Sequence, residues 1–296
     1  MVKNGKTSYG KQLFRCQDCG RQFVKQYQRG KWRKKLFNEY VFGKQTLKQL
    51  ADRYGKSKKT IQKQLDRHHR VCQCPVLAQP VVIGVDCSFF GRGYGIILAR
   101  CPGLKKNLYW KEITTESKEA YEEARRYLEG EGFHIQAVVI DAKHGIKQVF
   151  SDLVVQICQY HQKQIVKRYL TSKPKTVAGQ ELKLITDDLT KLEEKLFTQL
   201  LTEWHGKWTK FLKERTLAQD GKHWWYTHRR LRAAYRSLKT NLPYLFNYQK
   251  YPELCIPNTN NSLEGYFSKL KKLLNNHNGL KRHRRYKLIE TILSSS

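Results

Sequence analysis

Between residues 81 and 160 the apolar positions fall in short unbroken runs, not in helical stripes. Val81 to Phe90, Tyr94 to Cys101, Asn107 to Thr114, Ile135 to Ile140 and Leu153 to Cys158 each predict a strand. Runs this continuous predict strands covered on both faces. Gly91-Arg-Gly93 predicts the turn joining the first two. The larger loop Gly91-Arg-Gly-Tyr-Gly95 suits a hairpin better than a phosphate cradle, because no helix follows it. Between the third and fourth strands Ser117 predicts the cap of a helix reaching about Leu128. Its first turns carry Glu119, Glu122 and Glu123, where negative charge suits the helix dipole.

The order β-β-β-α-β-α-β predicts an α/β fold with a ribonuclease H-like mixed sheet. On either side of it the period changes. Residues 31–70 read as helical, and Leu47, Leu50, Ala51 and Tyr54 share one face. Gly55 suits a turn with positive φ, Ser57 a helix cap, and Ile61 and Leu65 a second buried face. This is helix-turn-helix form. The opposite face of its second helix shows Lys58, Lys59, Thr60, Gln62, Lys63 and Arg67, suited to phosphates and base edges. A plain helical hairpin with a solvated basic face is the ordinary alternative. Residues 71–80, with Pro75 and Pro80, read as a linker. The segment 161–250 is mostly helical and rich in Lys, Trp and Tyr. Residues 258–290 predict a helix starting near Asn261 or Ser262.

Charge narrows the function. The chain has 296 residues, 57 Lys plus Arg against 25 Asp plus Glu, and a net charge of +32. Such a charge makes a compact fold self-repelling, and a polyanion relieves it. Nucleic acid is therefore expected ahead of a ribosomal or membrane-surface role. No apolar run approaches a membrane span and the N-terminus lacks a secretory h-region. Eight cysteines in a chain this long do not form a staple pattern, which favours reduced thiols and a cytoplasmic setting. Phe14-Arg-Cys16-Gln-Asp-Cys19-Gly20 reads as half of a zinc ribbon. Zinc wants four ligands, and no CxxC precedes this one. Either the start is truncated, or Cys72, Cys74 or a histidine completes the set, or these are two free thiols.

The chemistry lies in three acidic positions. Asp86 follows Val-Val-Ile-Gly-Val, and Asp141 follows Ala-Val-Val-Ile. A carboxylate at the end of a buried strand is costly unless a cation neutralises it. Glu264 sits near the start of the helix after Asn258-Thr-Asn-Asn-Ser-Leu. Three such carboxylates can hold two Mg²⁺ or Mn²⁺ ions and act on a phosphodiester. The alternatives are ordinary: a strand-end cap for either aspartate, and a dipole-serving glutamate for Glu264.

The chain resembles bacterial insertion-sequence transposases of the Mutator-like group. Gly84-Val-Asp86 enters a hairpin as their first aspartate does. Val138-Val-Ile-Asp141-Ala-Lys-His-Gly145 is similar to the second. Ile157-Cys158-Gln-Tyr-His161 resembles their Cys-x-x-His signature, and Thr259-Asn-Asn-Ser-Leu-Glu264-Gly-Tyr-Phe-Ser-Lys-Leu-Lys the segment around their glutamate. Asp141 lies 55 positions after Asp86, and Glu264 another 123, which leaves room for a helical insertion at about 165–255.

This resemblance implies a ribonuclease H-like catalytic domain over 81–296, preceded by a partial zinc ribbon at 1–30 and a helix-turn-helix domain at 31–70. It implies Asp86, Asp141 and Glu264 as catalytic magnesium ligands, with two ions per site, and zinc at Cys16 and Cys19 if any binds. The expected activity is strand cleavage and strand transfer on transposon ends and target DNA, near a bacterial nucleoid. A homodimer or larger assembly is expected on DNA, with no membrane and no small-molecule substrate. An inactive transposase-derived DNA-binding protein, or a structure-selective nuclease on the same fold, remains the competing reading. Cys158 and His161 are either a metal pair or hydrogen-bonded groups near the site, or else a buried thiol and a satisfied histidine. Arg229, Arg230 and Arg232, with Lys269, Lys271, Lys272 and the run 281–285, suit phosphate contacts. Trp204, Trp208, Trp224 and Trp225 are candidates for stacking on unpaired bases, with helix-core packing as the alternative.

Overall fold

The computed structural model describes residues 2–15, 17, 20, 22–24, 27–68, 76–143 and 145–294. Cys16, Cys19, Cys72 and Cys74 lie outside that set, as does His144, so the zinc reading is not described. The chain divides into two compact units, residues 1–73 with 270–292, and residues 74–269 with 293–296.

The first unit opens with a three-stranded antiparallel sheet, β1 (Val2–Lys6), β2 (Gln12–Arg15) and β3 (Gln22–Val24), in the stretch read from sequence as a partial zinc ribbon. Three helices follow, α1 (Tyr27–Val41), α2 (Leu47–Tyr54) and α3 (Lys58–Asp66). Local chemistry sets their ends. Thr46 and Gln49 form a reciprocal capping box on α2, and Ser57 caps α3 through the Thr60 N–H. Gly55 closes α2 in the left-handed region at φ 58°. Gly55→Ala puts a Cβ into that conformation and lowers stability by about 1 kcal/mol, which chemical denaturation measures. Leu50, Ala51, Ile61 and Leu65 are buried, while Lys58, Lys59, Thr60 and Lys63 are exposed.

The C-terminal segment departs from expectation. One helix was predicted over 258–290, but two form, α11 (Asn261–Asn275) and α12 (Arg282–Ser294). Between them Gly279 takes φ 76°, which an α-helix does not accommodate. Residues 270–292 also join the first unit, not the domain predicted over 81–296. The reason is a polar clamp: the Arg284 guanidinium donates to both Asp66 oxygens at 3.0 and 2.8 Å. Lys287 donates to the Leu65 and Asp66 carbonyls that end α3.

The second unit is built on a five-stranded sheet from β4 (Pro80–Phe89), β5 (Gly95–Cys101), β6 (Lys106–Ile113), β7 (His134–Ile140) and β8 (Val154–Ile157). Its order is β6-β5-β4-β7-β8. The first three strands pair antiparallel, and β7 and β8 add parallel to β4. Helices α4 (Lys118–Gly130) and α5 (Ile146–Val149) make the crossovers. This mixed sheet is consistent with the ribonuclease H-like expectation.

Alternation along β4 separates the two faces. Val81, Ile83 and Val85 pack with Tyr121, Ala124 and Leu128 of α4 in one core. Val82, Gly84 and Asp86 face the other way. After β8 come α6 (Gln159–Leu170), α7 (Val177–Asp187), α8 (Glu194–Lys213), a hairpin of β9 (Arg215–Leu217) and β10 (Trp224–Tyr226), α9 (Arg229–Leu245) and the short α10 (Asn247–Lys250). They share a second core that includes Phe197, Leu201, Trp204, Leu238 and Phe246. Buried amides join α6 to α9: Gln162 donates to Ser237, and Asn241 donates to Gln162.

Candidate active site

Parallel register brings the two aspartates together. Gly84 pairs with Val139 across β4 and β7. Two residues further on come Asp86, within β4, and Asp141, just past the end of β7, with the parity of one face. Each carboxylate accepts the next residue's N–H, Cys87 to Asp86 at 2.7 Å and Ala142 to Asp141 at 2.6 Å.

Glu264 is delivered to that face by α11, and the approach is close. A Cβ on Gly84 would lie 2.8 Å from Asn260 Oδ1 and 3.0 Å from Leu263 Cδ1. Asn260 carries the docking. Its side-chain amide donates to the Val139 carbonyl at 3.3 Å, and its own N–H donates to Cys158 Sγ at 3.2 Å. Its carbonyl accepts the Leu263 and Glu264 N–H groups that open the helix. One residue pair earlier, Asn258 O accepts the Gln159 N–H and Asn258 Nδ2 donates to Gln159 Oε1. From β5, buried Arg100 donates to Ser262 Oγ at 3.1 Å and lies over the Tyr266 ring. None of these positioning roles was read from the sequence. The density of short polar residues at 258–262 was the available signal.

Cys158 and His161 serve the same end. Cys158 is fully buried where β8 meets α6, with its sulfur on the Asn260 N–H. His161, in the first turn of α6, places Nε2 3.0 Å from Glu264 Oε1. Among the described residues, Asp86, His161 and Glu264 offer ligand atoms all within 4.8 Å of one another. Asp141 stands outside that group, at the neighbouring strand end.

The electrostatics favour a cation here. Asp86 is 7% exposed. Burial pushes its carboxyl up to about 7 against the opposing pull of His161, with Glu264 and Asp141 adding repulsion. Burial opposes a charged His161, yet the Cys158 sulfur and the Glu264 and Asp141 carboxylates push the imidazole up to about 11. His161 Nδ1 is buried without a hydrogen-bond partner. The clustered carboxylates are oxygen donors that suit a divalent cation such as Mg²⁺ or Mn²⁺, and His161 joins them as a ligand only after losing its proton.

A pH dependence follows for the cation-free protein. The folded carboxyl of Asp86 lies above its ordinary 3.8, so its stability contribution is complete below about pH 4 and declines as pH rises through 7. His161, raised from 6.5, contributes stability that is lost between about pH 6.5 and 11. In a chelator, Asp86→Asn therefore flattens the fall between pH 4 and 7. At pH 8 the variant in chelator melts at a higher temperature than the native protein. Parallel pH–stability curves for the two proteins would contradict this.

The remaining candidates are dispersed. Trp204 is buried and donates to the Ala178 carbonyl, and Trp208 donates to Glu181. Both are packing residues. Arg230 donates to the Arg168 carbonyl and Arg232 to that of Leu212. Arg229 lies over the Trp225 ring. Lys269, Lys271 and Lys272 are exposed along α11. No helix among the described residues is long and apolar enough to cross a membrane.

No protein-family model and no curated protein matches the sequence. Among solved structures, the Drosophila P element transposase in its strand transfer complex aligns at 10% identity over 94% of each chain, with a TM-score of 0.44. The Mos1 strand transfer complex aligns at 11% identity over 69% of this chain and 82% of that one, with a TM-score of 0.20. Both likenesses are distant.

Proposed function

We propose that this protein is a DNA transposase that cleaves and transfers DNA strands with divalent cations held by Asp86, Glu264 and Asp141. The observation that carries the reading is the buried Asp86 carboxylate in the central strand. Glu264 and His161 meet it within 4.8 Å, on a chain of net charge +32. The basic surface draws in the phosphodiester backbone. Asp86 and Glu264 hold the reacting centre from two elements that Asn260 and Gly84 lock together. His161 orients the Glu264 carboxylate. Bound Mg²⁺ or Mn²⁺ supplies activation of the attacking oxygen and stabilisation of the leaving one. Water frees a 3′-OH at each end of the element, and that 3′-OH attacks target DNA in line. The exposed face of α3, with Lys58, Lys59, Lys63 and Arg67, is the proposed reader of the element ends. Joining two ends calls for two copies on DNA. The proposed element is a bacterial insertion sequence of the Mutator-like kind, a reading supported by the residues around Asp86, Asp141 and Glu264 that resemble that group.

The 4.8 Å group favours one variation, in which His161 contributes a ligand directly and Asp141 acts from outside. Titration of Mn²⁺ into the protein, read by calorimetry and by melting temperature, tests both the site and the variation. The native protein binds and gains stability, and Asp86→Asn does not. His161→Ala weakens Mn²⁺ about 10- to 100-fold if His161 supports or makes the ligand set. If Asp141→Asn weakens the ion and His161→Ala does not, the three carboxylates alone hold it. Absence of binding in the native protein would favour a DNA-binding protein without catalysis.

A further inference from the structure

We propose that the β9–β10 hairpin and the cleft beside it form a seat for an unpaired nucleic-acid strand, separate from the carboxylates; this deepens the transposase reading and rests on it. The hairpin was not legible as strands, yet it carries an ordered row of rings and cations. Trp224 is 44% exposed. Its ring meets Tyr226 edge-on with centroids 5.3 Å apart. The Arg215 guanidinium lies 3.8 Å from the Trp224 centroid and 5.9 Å from that of Tyr226. Arg232 lies 3.5 Å from the Tyr226 centroid, and the same arginine lines a cleft of about 470 Å³ between α8 and α9.

That cleft is built for anions. Lys213, Arg232, Arg236 and Lys239 line it with the stacked His205 and Tyr235, and no Asp or Glu does. Burial, and after it the charges of Lys239, Arg232 and Lys213, lower the pKa of His205. A half-exposed Trp224 ring, beside arginines that lead into a cationic cleft, matches one kind of occupant. A base stacks on the open side of Trp224 while the following phosphates enter among Lys213, Arg236 and Lys239. A continuous duplex keeps its base faces covered by its own stack, so rings add nothing to duplex binding. Adjacent residues on a strand point to opposite faces, so Trp225 lies on the back of the hairpin and serves as a control.

Binding of a fluorescein-labelled oligothymidylate and of a duplex with equal phosphate number, each titrated over a salt series, tests the proposal. Trp224→Ala weakens the single strand about 10- to 100-fold and the duplex by less than about threefold. Trp225→Ala changes neither. Lys213→Gln with Lys239→Gln reduces the salt slope for the single strand by about 0.7 per cation removed. Unchanged single-strand binding in Trp224→Ala, or equal loss on both DNAs, overturns the proposal and leaves the transposase reading standing. A native protein that binds neither DNA overturns both.

Discussion

Asp86→Asn lowers metal-dependent strand cleavage by about a thousandfold or more and leaves DNA binding within about threefold of the native protein. The asymmetry comes from where the carboxylate sits. Asp86 lies within the central strand and is almost fully buried, so it contributes no surface charge for DNA to meet. Its substitution removes an anion from a group that includes Glu264, and residues that act as a unit lose activity nearly completely when one is removed. Glu264→Gln and Asp141→Asn give the same pattern. The fold survives, because the aspartate in the cation-free protein is already held partly protonated by burial. Cleavage rates and binding isotherms measured on one duplex separate the two effects. Parallel loss of both would mean that Asp86 supports the fold and not the chemistry.

Gly84→Ala, one methyl group, damages the site from beneath. The new Cβ would stand 2.8 Å from Asn260 Oδ1 and 3.0 Å from Leu263 Cδ1. Leu263 is buried, and Asn260 is held through its side chain and its backbone. The methyl is therefore accommodated only by moving the start of α11. Overpacking of this kind costs about 1–3 kcal/mol. The larger effect is on Glu264, four residues after Asn260. A displacement near 1 Å of a catalytic group costs about a hundredfold in rate. The expected result is a modestly lower melting temperature with a fall in cleavage far beyond it, and weaker Mn²⁺ binding. A variant that loses stability but keeps native cleavage would show that α11 has more freedom than its hydrogen bonds suggest.

The sheet was legible because each strand is an apolar run with its own turn signal, and the two aspartates follow from the same runs. Asp86 and Asp141 could be paired on paper because parallel strands with one parity share a face. The linkage of Cys158 and His161 to α11 could not. Both contacts cross about a hundred residues of sequence, and nothing local marks Asn260 as the residue that docks. The hairpin escaped notice because Trp224-Trp-Tyr226 is three residues long and sits between helices of similar composition. The return of 270–292 to the first unit is likewise a long-range fact, set by Arg284 and Lys287 reaching Asp66 and Leu65. The break between α11 and α12 had a local signal that went unread, the run Asn275-Asn-His-Asn-Gly279.

The most direct test of the central claim is strand cleavage mapped to the nucleotide. Purified protein is incubated with Mn²⁺ and a duplex carrying the DNA that flanks its own gene, beside Glu264→Gln. The account predicts nicking by the native protein at one defined position at the element end, with a free 3′-OH, and none by the variant. Equal nicking by both, or no metal-dependent nicking by the native protein on DNA it binds, would contradict it.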